Sequence, residues 1–79
     1  MKVFGYQKDS EILIELQEVT FQSDIKELDK IIKFLLNVKE QHSKVTVKEE
    51  LCHSHFRDWD IEWQANSTDI IVVTTSNDE

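Results

Sequence analysis

Residues 24–42, Asp-Ile-Lys-Glu-Leu-Asp-Lys-Ile-Ile-Lys-Phe-Leu-Leu-Asn-Val-Lys-Glu-Gln-His, decide how this chain folds. Ile25, Leu28, Ile31, Ile32, Leu35, Val38 and Lys39 recur at helical spacing. Lys26, Asp29, Lys30, Lys33, Asn37 and Glu40 take most of the opposite face, and Phe34 and Leu36 widen the apolar stripe. Ser23 or Asp24 can cap the first turn, and Asp24 with Glu27 makes a capping box. Asp29 precedes Lys33 by four residues, the favourable order for an ion pair on a helix. The pattern predicts a helix from about Asp24 to His42 that lays its apolar side on a sheet.

Upstream, the period changes from 3.6 to 2. Val3-Phe4-Gly5-Tyr6 suits a short first strand, and Lys8-Asp9-Ser10 is turn chemistry. Ile12, Ile14 and Leu16 alternate with Leu13, Glu15 and Gln17, which predicts a second strand with one buried face. Val19 and Phe21 fall out of phase with it, as a bulge or a strand end near Gln17-Glu18 would require.

Downstream of Ser43-Lys44 the signals are strand-like. Val45 and Val47 suit a short edge strand. Leu51 to Phe56 suits a strand with Leu51, His53 and His55 on one side and Cys52 on the other. Trp59, Ile61 and Trp63 alternate with Asp60, Glu62 and Gln64, which reads as a further strand. Ala65 to Asp69 reads as a turn, and Ile70 to Thr75 as a strand buried on both faces. The expected fold class is therefore α+β, in the order ββ-α-β(β)β. It has a small antiparallel sheet of four to six strands with one long helix on one face. Residues 1–75 form a single domain and residues 76–79 a disordered tail.

A chain of 79 residues is one domain with a thin stability margin. Cys52 is its single cysteine, which excludes an internal disulfide and fits a reducing compartment. Asp9 and Glu11 interrupt the N-terminal region before it reaches signal-peptide length, and nothing approaches the roughly 20 apolar residues of a membrane span. A soluble cytoplasmic protein is expected. The acids and bases of residues 1–48 cancel, while Glu49, Glu50, Asp58, Asp60, Glu62, Asp69, Asp78 and Glu79 face Arg57 alone. The net charge of −7 thus comes from the C-terminal part. Such a field disfavours nucleic acid and favours a basic protein partner, although acidity also serves solubility alone.

Reactive residue types gather only in Cys52-His53-Ser54-His55-Phe56-Arg57-Asp58. Two histidines on one strand face could begin a zinc site, with Cys52, Asp58 or Asp60 as further ligands. On an extended strand, however, Cys52 points away from both. A Cys52–His53 nucleophilic pair would diverge in the same way, and Gly5, alone in the sequence, leaves no glycine-rich oxyanion or phosphate loop. No metal, no cofactor and no catalytic residue is expected. Trp59 and Trp63 suit the core, with Asp60 and Glu62 outward, or else an aromatic hot spot ringed by acid.

The order of these motifs resembles a family of bacterial immunity proteins from polymorphic toxin systems, the thirty-second of that numbered series. The resemblance runs through Glu18-Val19-Thr20-Phe21 and Ser23-Asp24-Ile25-Lys26-Glu27-Leu28, then the helix end Phe34-Leu35-Leu36. It continues in His53-Ser54-His55-Phe56-Arg57-Asp58 and the closing Asp69-Ile70-Ile71-Val72-Val73. It spans roughly residues 11 to 73. It implies a small α+β protein that neutralises a cognate toxin by stoichiometric binding, without enzymatic activity. The expected partner-binding residues are His53, His55, Arg57, Asp58, Asp60 and Glu62. The rival expectations are a small metal-binding protein built on Cys52, His53, His55 and Asp58, and a homodimeric structural subunit joined through a sheet face or edge strand.

Overall fold

The computed structural model describes residues 1–44 and 52–75. The expected edge strand at Val45–Val47, Leu51 and the expected tail at 76–79 lie outside the described residues. The elements follow the chain as β1 (Val3–Tyr6), β2 (Leu13–Leu16), α1 (Ile25–Ser43), β3 (Cys52–His55), α2 (Phe56–Trp59) and β4 (Ile71–Thr74). The fold is α+β, with one long helix. No helix among the described residues is long and apolar enough to cross a membrane.

The helix forms where its sequence demands. Asp24 is the N-cap in extended conformation, and its Oδ1 accepts the Glu27 backbone N–H at 2.8 Å. Asp29 and Lys33 pair at 2.9 Å. The covered side of α1 is Ile31, Phe34 and Val38, and Phe34, at 1% exposure, is its centre. The Phe56 ring meets Phe34 edge-on at 5.3 Å and Trp59 packs at 5.8 Å. Trp59, Trp63, Ile70 and Val72 complete this cluster.

The sheet differs from expectation. Among the described residues there are two separate antiparallel pairs, β1–β2 and β3–β4, in place of one sheet of four to six strands. Val3 stands opposite Leu16 and Tyr6 opposite Leu13 in the first pair. Cys52 stands opposite Thr74 and His55 opposite Ile71 in the second. The strand expected at Trp59–Trp63 does not form. Phe56–Trp59 is one helical turn, closed by Asp60 N–H donating to the Phe56 carbonyl at 2.9 Å. Asp60 Oδ1 then accepts the Glu62 N–H at 3.1 Å, and Ser67 Oγ accepts the Gln64 N–H at 3.2 Å. Short polar side chains that bind nearby backbone compete with a ladder, and here they win. The two tryptophans still reach the core, by turn geometry instead of alternation.

Burial within the strands also departs from the alternation. Val72 and Thr74 of β4 are half-buried, but Ile71 and Val73 are about half exposed, so β4 is covered on one face only. In β2, Leu16 is half-buried, whereas Ile14 at 45%, and Ile12 just before the strand at 71%, are exposed, so the expected buried face is largely uncovered. Val19 and Phe21 lie outside any strand and are exposed. The Lys8–Ser10 turn forms as read, with Asp9 at φ 59°, a conformation that Asp tolerates better than most residues.

Candidate functional site

The α2 turn carries most of the candidate residues, and β3 feeds it. Alternation along β3 sets His53 and His55 on one face, with their rings 5.6 Å apart and nearly perpendicular. Cys52 and Ser54 take the other face, toward α1. Phe56 then drops into the core, which turns Arg57 and Asp58 outward at 50% and 74% side-chain exposure. Arg57 Nε lies 4.0 Å from Asp58, a loose surface pair.

The candidates divide between two concavities. His53, His55 and Asp58 border a shallow one of about 320 Å³ with Phe34, Asn37 and Trp59. Asp60 and Glu62 border a larger one of about 460 Å³, together with Phe21, Lys30 and Trp63. Arg57 borders neither. Asp60 and Glu62 do not simply project toward solvent. Lys30 of α1 lies 3.4 Å from Asp60 and bonds Glu62 as well. The hydrogen bond to Glu62 raises the Lys30 pKa against the lowering pull of desolvation, and the charges of Asp60 and Glu62 add to the rise. Glu62 is held below the ordinary carboxylate range by the Lys30 hydrogen bond, then by the Lys30 and Lys26 charges. These two acids therefore tie the 60–70 loop to the helix.

Asp69 is the residue that organises the site, and the sequence reading left it in a turn. Its Oδ2 accepts from His55 Nδ1 at 2.7 Å, and its Oδ1 accepts the Arg57 backbone N–H at 2.9 Å. Arg57 Nε approaches Oδ2 at 3.8 Å. Burial pushes the Asp69 carboxyl up, but the His55 and Arg57 hydrogen bonds and charges together outweigh it and lower the pKa. The signal was the register. His55 faces Ile71, so the antiparallel register carried two positions past the end of β3 and back before the start of β4 sets Arg57 against Asp69.

His42 is the second residue the sequence did not single out. Its Nδ1 lies 2.8 Å from Thr74 Oγ1 and its Nε2 2.8 Å from Ser54 Oγ. It follows Val38 by one turn, so the covered side of α1 ends on a polar residue that clasps β3 and β4 together. Chemically, the His55–Asp69 pair fixes one ring nitrogen of His55 and leaves Nε2 to bind. Among the described residues, no three His, Cys, Asp or Glu side chains converge as metal ligands, so Cys52, His53, His55 and Asp58 are not brought together as a zinc site would need.

No family model, no curated protein and no solved structure matches this chain.

Proposed function

We propose that this protein is a small acidic binding module that recognises a basic protein partner through the surface around α2. Its mode of action is the stoichiometric neutralisation that the immunity-family resemblance implies. The observation behind this reading is the pair of concavities flanking the turn. Each is lined by two aromatic rings, Phe34 with Trp59 or Phe21 with Trp63, and by at least one carboxylate, Asp58 in the first and Asp60 and Glu62 in the second. That combination suits the aliphatic stem and cationic head of a lysine or arginine side chain. Asp58 is the acid with least internal compensation, since Arg57 is its nearest base at 4.0 Å. His53, which is exposed, and His55, whose Nε2 makes no hydrogen bond among the described residues, supply polar contacts beside it. Asp60 and Glu62 add to the local negative field while holding Lys30.

The test is capture of a partner at low salt by tagged protein, comparing wild type with Asp58→Lys and His53→Ala. Neither substitution touches the core or the Lys30 bridge, so circular dichroism should be unchanged. One dominant basic protein, released by salt and lost with Asp58→Lys, is the expected result. Capture that survives both substitutions overturns the site.

A further inference from the structure

The helix α1 carries a second apolar stripe that its own domain does not cover. Ile31, Phe34 and Val38 face the core, but Ile25, Leu28, Ile32, Leu35 and Leu36 are 80%, 41%, 48%, 44% and 62% exposed. They lie on one side of the helix, roughly 110° around from the core-facing line at 100° per residue. Ile25, Leu28, Ile32 and Leu35 follow the 3-4-3 spacing of a helix-pairing seam. Surface helices of globular proteins normally show one such stripe.

We propose that this stripe is the interface of an antiparallel homodimer, α1 against α1 of a second copy. The area is of the right size. The five side chains uncover on the order of 550 Å² per chain, so a pair with its flanking stems reaches the roughly 1,200 Å² at which specific interfaces begin. The same patch sits at the upper end of the ~300–600 Å² that a monomer ordinarily exposes. Charge sets the direction. Lys39 continues the seam one turn beyond Leu35. Parallel helices would set it beside its own copy, like charge against like charge. Antiparallel helices set Ile25 against Leu35 of the second copy and Leu28 against Ile32, four apolar layers in all. Lys39 then lies opposite residue 21, just ahead of the Asp24 cap of the other helix and far from its own copy. A charge on the seam that is tolerated in only one orientation specifies that orientation. None of the five seam residues borders either concavity beside α2, so the dimer is argued independently of the binding function proposed above.

The experiment is sedimentation equilibrium of the full chain at concentrations from about 1 to 200 μM, with circular dichroism to confirm folding. Wild type should sediment at twice the 9.4 kDa chain mass. Ile32→Glu alone and Leu28→Lys alone should each sediment as folded monomers, because both positions are exposed. An equimolar mixture of the two variants should recover a dimer, since the antiparallel register brings the introduced lysine to the introduced glutamate. A wild-type monomer throughout the range overturns the proposal. So does a dimer that survives Ile32→Glu, which would place the contact elsewhere, or a mixture that stays monomeric, which would refute the register. Asp58→Lys should leave the dimer intact.

Discussion

Among the described residues there are two antiparallel strand pairs of the same size, here called the first and second hairpin although α2 lies between β3 and β4, and only one of them is built into the fold. Both β1–β2 and β3–β4 pair four residues with four. The second is anchored from three directions. Val72 packs on the Phe34–Val38–Phe56 core, His42 clasps Ser54 and Thr74, and Asp69 holds His55 and Arg57. The first contributes no residue to that cluster, and Phe4, Tyr6, Leu13 and Ile14 are about half exposed. Its turn bonds are local, Ser10 N–H to the Gln7 carbonyl and Ile12 N–H to Ser10 Oγ. A two-stranded hairpin has little stability of its own in water. Strand propensity is thus shared by the two, and what separates them is a helix face to lean on.

The largest effect that tests this contrast is expected at Phe34. Replacing it with Ala empties the centre of the core and should cost about 3–5 kcal/mol in denaturant unfolding. In a domain this small that abolishes most of the stability. The matching substitution in the first hairpin, Phe4→Ala, removes a half-exposed ring and should cost less than about 1 kcal/mol. Amide exchange in the wild type should follow the same order, with β1–β2 opening more readily than β3–β4. Equal costs for the two Phe→Ala variants would show that the first hairpin is docked after all.

The contrast also explains what could be read from the sequence. Helix α1, its cap and the Asp29–Lys33 pair follow from local spacing and were legible to within a residue or two. So were β1, β2, β3 and β4, because period two and short apolar or β-branched runs are local signals. Their partners were not. Ile14 sits in a clean alternation and Val72 in a run read as buried on both faces, yet Ile14 is exposed and Val72 half-buried, and nothing within residues 12–16 states whether a helix will cover them. The Trp59–Ile61–Trp63 alternation misled because the Asp60 and Ser67 side chains also bind the backbone of that segment, and turn chemistry outweighed period. The candidate site was half visible. His53, His55 and Asp58 do share a concavity, but Asp69 and His42 act across the fold. Only the strand register and the helix face bring them in.

The clasp gives the next effect in size. His42→Ala leaves the Ser54 and Thr74 hydroxyls without their partner at the helix–sheet junction, and should cost about 1–3 kcal/mol. Hydrogen exchange should quicken in β3 and β4 and stay the same in β1 and β2. Equal acceleration of both hairpins would mean that the contrast between them is not structural but global.

Asp69→Asn should cost less, on the order of 1 kcal/mol at neutral pH, since the group is only partly buried and solvent screens it. Its sharper signature lies in pH. The folded-state pKa of Asp69 is lowered, so its contribution is fully present above the ordinary carboxylate value near 3.9. That contribution is lost as pH falls through the depressed value. Wild type should therefore lose stability on acidification more steeply than Asp69→Asn does, and the two curves should converge in acid. Parallel curves would remove Asp69 from its place as the charged brace of the second hairpin.

The smallest effect is expected at the Lys30 bridge, and it sharpens the comparison most finely. The bridge ties the 60–70 loop to α1, so it supports the second hairpin only at a distance, through the loop that leads into β4. Glu62 is largely exposed, and pairs of that kind contribute little to global stability. Lys30→Met should leave the unfolding midpoint nearly unchanged at moderate salt. It should nevertheless speed exchange at the Glu62 and Trp63 amides, which follow the Asp60 turn. High salt should produce the same local change in wild type, because screening weakens an exposed pair without touching the core. Glu62→Gln should match Lys30→Met in salt dependence, while Asp60, at 10% exposure, keeps its backbone bond to Glu62 in either variant. If Lys30→Met instead loosened β3–β4 as His42→Ala does, the loop bridge would count as a fourth anchor of the second hairpin. The difference between the hairpins would then rest on charge as much as on the helix face.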